Sequence, residues 1–173
     1  MRAARELLKD LKYEVVSGSI DVNVSELVYN TRKVKKECMF VCIKGATFDS
    51  HDVAGEAAKN GAVVIVAERP VDVPAGTTVV LVEDTRYALA LISAAYFQYP
   101  AKKLKVIGIT GTKGKTTTTF MIRSILEHAG IPTGLIGTIE VIIGDRHIPA
   151  HNTTPESYEV QEYFAQMVEA GCK

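Results

Sequence analysis

The stretch V-I-G-I-T-G-T-K-G-K-T-T-T-T-F, residues 106–120, constrains the fold more than any other. Its β-branched apolar run predicts a buried strand over 106–110. Two glycines then break the run, and from about Lys115 to His128 the spacing predicts a helix, with Gly130 as its stop. A strand that hands over to a helix through such a turn leaves main-chain N–H groups and a helix dipole aimed at an anion. Gly111 and Gly114 supply backbone freedom and close approach, Lys115 brings a mobile cation to the β- and γ-phosphates, and Thr116 places a hydroxyl where such loops ligate magnesium. The strict pattern G-x-x-x-x-G-K-[ST] needs glycine at 109, where this chain has Ile109, so the loop is the shorter form G-T-x-G-K-T-T. Its candidate nucleotide-binding residues are Gly111, Thr112, Lys113, Gly114, Lys115, Thr116 and Thr117. Lys115 is the candidate catalytic residue and Thr116 the candidate metal ligand, whereas Thr118 and Thr119 are read as helix residues. A strand around Leu135 to Ile139 completes a β-loop-α-β unit, whose crossover implies a parallel sheet.

The first hundred residues read as a separate, mixed α/β unit. A short amphipathic helix is predicted over 2–12, from Leu7, Leu8 and Leu11. Apolar runs at 27–29, 39–43, 62–66 and 78–82 predict buried strands, and 49–61 and 84–98 carry the start and stop residues of helices. Residues 99–105, with Pro100 and three lysines, are the candidate linker. Beyond the crossover unit, Gly144-Asp145 reads as a hairpin turn and 155–171 as a helix with Val160, Phe164, Met167 and Val168 on one face. The fold class is therefore α/β: a small mixed domain over 1–100, then the start of a phosphate-loop, parallel-sheet domain over 101–173. Two or three parallel strands cannot cover both faces of a core, so the second domain is expected to be incomplete.

Composition excludes several classes. Twenty basic residues balance twenty acidic ones, which leaves no net field to hold nucleic acid or an anionic membrane. Cys38, Cys42 and Cys172 lack the pairing or spacing of a disulfide framework or zinc site and read as packing thiols. No apolar run is long enough to span a bilayer and the amino end has no signal-peptide core, so a cytoplasmic monomer without membrane insertion is expected. The four histidines show no ligand spacing.

The loop G-T-K-G-K-T-T-T-T resembles the ATP loop of the Mur ligases, the ATP-dependent amide-forming enzymes of bacterial cell-wall precursor synthesis, and of their folylpolyglutamate synthetase relatives. Lys113 departs from the family's usual asparagine. Two other stretches carry the likeness further. Residues 29–52 resemble the amino-terminal uridine-nucleotide domain of the MurE and MurF types, in which a D-S-R or D-T-R triplet precedes a strand and a G-x-x-x-D-G turn; here the triplet is Asn30-Thr31-Arg32 and the turn ends Asp49-Ser50. The family's substrate contacts then fall on Tyr29, Thr31, Ala46, Thr47 and Phe48. The stretch His151-Asn-Thr-Thr-Pro-Glu-Ser resembles the MurE-type segment that holds the muramoyl-dipeptide, which implies substrate contacts from Asn152, Thr153 and Thr154. The same T-T-P-E is also good helix-capping chemistry.

The resemblance implies ATP and Mg²⁺ as cofactors and UDP-N-acetylmuramoyl-L-alanyl-D-glutamate and a diamino acid, meso-diaminopimelate or L-lysine, as substrates. ATP would phosphorylate the γ-carboxylate and the amine would attack the acyl phosphate. The likeness covers only the amino-terminal domain and the front of the central domain of a three-domain family, so this chain is expected to be inactive alone. A MurF-type D-alanyl-D-alanine-adding ligase and a non-catalytic nucleotide-binding module remain as alternatives.

Overall fold

The computed structural model describes residues 1–150, 152 and 154–173. The chain forms two compact units, Met1–Tyr96 and Phe97–Lys173.

In the first unit the elements run β1 (Arg2–Ala3), α1 (Ala4–Leu8), β2 (Glu14–Ser17), β3 (Asn23–Val24), β4 (Leu27–Val28), β5 (Cys38–Val41), α2 (Ala54–Lys59), β6 (Ala62–Ala67), β7 (Thr78–Leu81) and α3 (Thr85–Tyr96). The main sheet has the order β2-β7-β6-β5-β4. Strands β4 to β7 are parallel, and β2 is an antiparallel edge on β7 with an irregularity between Val15 and Ser17. Parallel strands covered on both faces must be apolar throughout, which is why β5 and β6 read as unbroken runs. One face packs Phe40, Cys42, Ile65 and Val79 against Ala54 and Ala57. The alternate residues Met39, Val41, Val64 and Val66 point the other way and are equally buried, as are Leu7 and Leu8 of α1 and Ala88, Leu89 and Ile92 of α3. All three cysteines are unpaired and buried, and burial pushes the Cys42 thiol up to about 12. Cys38 and Cys42 lie in the core of this unit and Cys172 in that of the second.

The predicted opening helix is shorter than 2–12, because Arg2 and Ala3 pair antiparallel with Val24 and Asn23 instead. Strand β2 was not foreseen. All four of its residues are exposed, so no apolar pattern marks it.

The second unit contains α4 (Lys115–His128), β8 (Leu135–Ile136), β9 (Glu140–Ile143), β10 (Arg146–Pro149) and α5 (Ser157–Glu169). The predicted hairpin is present as β9 and β10, paired antiparallel across Gly144-Asp145. The core consists of Val141, Ile143, Met167 and Cys172 with Leu104, Tyr163 and Phe164 packed on them. Residues 106–110, predicted as a strand, have no ladder partner among the described residues, and Val106 and Ile107 are 55% and 60% exposed. A strand exists only where a neighbour satisfies its N–H and C=O groups. Strand β8, two residues long, pairs antiparallel with β9 rather than parallel with 106–110. A cavity of about 400 Å³, lined by Ile107, Ile109, Ile122, Leu126, Leu135 and Phe164 among others, lies where that pairing would run.

Candidate functional site

Two sites are built, one in each unit. In the first unit a cleft of about 530 Å³ is lined by Tyr29, Asn30, Thr31, Arg32, Ile43, Gly45, Thr47, Phe48 and Ser50. Four of the five residues assigned there from sequence, Tyr29, Thr31, Thr47 and Phe48, thus meet around one space; Ala46 does not line it. Phe48 is 54% exposed, so its ring is available to a ligand rather than spent on the core.

Local chemistry holds both walls. On one, Asn30 Oδ1 accepts from the Arg32 main-chain N–H at 3.0 Å and caps a 3₁₀ turn over Thr31–Lys33, so asparagine does there what aspartate would. On the other, Ser50 Oγ accepts from the Ile43 N–H at 2.6 Å and donates to the Ile43 carbonyl at 3.0 Å, closing the turn with a group that glycine lacks. The same turn is anchored by His51, which is buried. Its Nε2 accepts from the Glu68 N–H at 3.0 Å, which assigns the ring proton to Nδ1, and Nδ1 donates to Asp49 Oδ1 at 2.6 Å. Asp49 also receives the His51 main-chain N–H and an ion pair from Arg69. These donors, the His51 N–H foremost, hold its carboxyl down at about 2 although partial burial pushes the other way. Glu68 in turn accepts from the N–H and hydroxyl of Thr85 at 2.8 Å each, tying the network to the start of α3.

Sequence reasoning missed His51 as an anchor and Arg32 and Ser50 as lining residues. Arg32 carried a signal, as the last member of the triplet.

In the second unit the glycine loop ends in α4. Gly114 is the residue before the helix, with φ 79°, and Gly111 has φ 149°. Both are conformations that glycine adopts without penalty. Gly114 offers no side-chain cap, and no acidic residue lies in the first helical turn. The first N–H groups of a 14-residue helix therefore face outward beside Lys113 and Lys115. Lys115 Nζ reaches across the loop and donates to the Gly111 carbonyl at 2.5 Å. Its ammonium thus sits over the cradle. Thr116 and Lys115 are half-buried, and Gly111, Thr112, Lys113, Gly114 and Thr117 are exposed. Thr119 Oγ1 donates to the Thr116 carbonyl at 2.8 Å, turned to its own helix as expected.

The segment before α5 is partly described. Asn152 and Thr154 are exposed, and Thr153 lies outside the described residues. The cap of α5 is Glu156, which accepts from the Ser157 N–H, and not a threonine.

Comparison with known proteins places the two units in a family. Residues 23–97 match the profile described as Mur ligase family, catalytic domain, and residues 109–173 that described as Mur ligase middle domain. A Clostridium perfringens protein named UDP-N-acetylmuramoyl-L-alanyl-D-glutamate–2,6-diaminopimelate ligase is 49% identical over 96% of this chain and 34% of its own length. A protein of the same name from Caldanaerobacter subterraneus is 46% identical over 97% of this chain and 35% of its own. The chain spans about a third of the length of these relatives. Among solved structures, MurF from Acinetobacter baumannii aligns with TM-score 0.62 and 27% identity, over 95% of this chain and 32% of that one. A UDP-N-acetylmuramoyl-L-alanyl-D-glutamate–2,6-diaminopimelate ligase aligns with TM-score 0.77 at 20% identity, over 98% of this chain and 34% of that one, a likeness of fold. With its two units matched in order by the two profiles, the chain belongs to the Mur ligase family.

Proposed function

We propose that this chain supplies the uridine-nucleotide site and the ATP loop of a ligase that adds a diamino acid to UDP-N-acetylmuramoyl-L-alanyl-D-glutamate. The observation that carries the reading is the cleft: it gathers Tyr29, Thr31, Thr47 and Phe48 from two separate stretches of sequence into one space. The names of the relatives favour the dipeptide over the tripeptide as acceptor, and 2,6-diaminopimelate over L-lysine as the residue added.

In this reading Phe48 and Tyr29 flank the uracil, and the hydroxyls of Thr31 and Thr47 bond the ribose or phosphates. Asn152, Thr153 and Thr154 bond the peptide. In the glycine loop the N–H groups at the start of α4 cradle the β-phosphate of ATP, and Lys115 swings from the Gly111 carbonyl to the γ-phosphate. There it stabilises charge as the phosphoryl group passes to the γ-carboxylate of D-glutamate with loss of ADP. The amine then displaces phosphate from the acyl phosphate and the amide forms. Activation is needed because a carboxylate anion resists attack by an amine. The half-buried Thr116 hydroxyl is the group that would hold a magnesium ion, which would supply charge neutralisation at the phosphates. Among the described residues no helix is long and apolar enough to cross a membrane, and the reading is of a monomer working where its nucleotide substrates are, in the cytoplasm.

Calorimetry of the chain with UDP-N-acetylmuramoyl-L-alanyl-D-glutamate tests this. Binding that weakens in Thr31→Ala is expected. No binding of any uridine nucleotide overturns the reading, and preference for the tripeptide moves it to the D-alanyl-D-alanine-adding type.

A further inference from the structure

The cleft in the first unit has one charged lining residue, Arg32, and no carboxylate. Every other arginine of the chain is engaged. Arg5 pairs with Asp21 at 2.6 Å, Arg69 with Asp52 at 2.6 Å and Arg123 with Glu127 at 3.6 Å. Arg86 donates to the Lys44 carbonyl, Arg146 to Gln166, and Arg2 lies 4.9 Å over the Tyr96 ring. The guanidinium of Arg32 has no hydrogen bond or ion pair among the described residues. Asp49, the nearest acid in sequence to the opposite wall, is already taken by His51 and Arg69.

The main chain under Arg32 is nonetheless fixed. Its N–H is bound to Asn30 Oδ1, the Lys33 N–H donates to the Asn30 carbonyl at 2.9 Å, and the Val34 N–H donates to the Thr31 carbonyl at 3.3 Å. A rigid backbone that presents an idle, planar five-donor cation to an open cleft is arranged for a ligand carrying negative charge in a forked geometry. The chain as a whole has no net charge, so this is local design rather than a general field.

We infer that Arg32 is the residue that reads the diphosphate of the uridine-linked substrate. The inference rests on the uridine reading of the cleft. It makes the cleft selective for the diphosphate ester over the bare nucleoside, because the uracil contacts alone would not distinguish the two.

The test is calorimetry on the full chain, wild type against Arg32→Gln, Arg32→Lys and Lys33→Gln, with UDP-N-acetylmuramoyl-L-alanyl-D-glutamate as ligand. Arg32→Gln is expected to raise Kd by about 10- to 100-fold, the size of a lost charge-assisted bond, and to flatten the dependence of log Kd on log salt. Arg32→Lys should recover part of the loss, because a point charge replaces the fork. Lys33→Gln removes the same charge one residue away, outside the lining set, and should cost less than about twofold. Melting temperatures should be unchanged in Arg32→Gln, since its head group holds nothing in the protein. Equal affinity in wild type and Arg32→Gln, an equal loss in Lys33→Gln, or a lowered melting temperature in Arg32→Gln would each overturn the assignment while leaving the uridine reading in place. Failure of the wild type to bind would instead remove that reading and the assignment with it.

Discussion

His51 shows how much a single side chain can decide. Both ring nitrogens are committed, one to Asp49 and one to the Glu68 main chain, and the ring itself is buried. Replacing it by leucine roughly keeps the volume but strands a buried N–H and part of a carboxylate. A loss of about 1–3 kcal/mol in chemical denaturation is expected, together with weaker ligand binding in the cleft whose turn it anchors. Asp49 makes the network sensitive to acid. Its folded pKa, about 2, lies below the ordinary 3.8, so its contribution is complete above pH 3.8 and is lost as the pH falls toward 2. Asp49→Asn should therefore be less stable than the wild type near neutrality and show a shallower fall in stability over that acid window. Neither residue could be singled out from sequence. Asp49 was legible as part of a turn and His51 only as a lone histidine, because what makes them matter is that the end of β6 comes alongside, 17 residues on.

At the scale of elements, Gly114 and Gly134 look alike in sequence and differ in physics. Gly114 needs its left-handed φ of 79°, and a side chain there would meet nothing within 4 Å. Gly114→Ala should cost about 1–2 kcal/mol, for conformation alone. Gly134 sits against Met167, and a Cβ would collide with its sulfur. Gly134→Ala should cost about 1–3 kcal/mol and be relieved in the double variant with Met167→Ala, a coupling that equilibrium denaturation of the four proteins measures. Lys115→Ala belongs at this scale too. Among the described residues its amine bonds only an exposed loop carbonyl, so stability should hardly change, while ATP affinity measured by calorimetry falls by about tenfold or more. Helix α4 was legible to the residue because its glycine start, threonine turn and helical spacing agree. The segment before it was legible only as composition: β-branched residues describe a strand's preference, and the ladder that makes one lies outside any local pattern.

At the scale of the molecule the two units differ in how completely their sheets are satisfied. In the first, β5 has hydrogen-bonded neighbours on both sides and every residue buried. In the second, 106–110 is unpaired among the described residues while its neighbour α4 exposes Met121 and Ile125 at 60% and 66%. Cooperative opening follows the density of such contacts, so protection should be uneven along the chain. Hydrogen exchange followed by mass spectrometry should find Met39–Val41 and Val64–Val66 slowest, exchanging only through global opening of the first unit, and Val106–Thr110 fast, close to the rate of an unstructured peptide. Saturating ATP should slow exchange across 111–117, where the phosphates would occupy the free N–H groups, and leave β5 and β6 unchanged. Equal protection of 106–110 and β5 without ligand would mean that the segment is paired after all. Slowing that reached β5 would mean that nucleotide binding stabilises the first unit as well as the loop it touches.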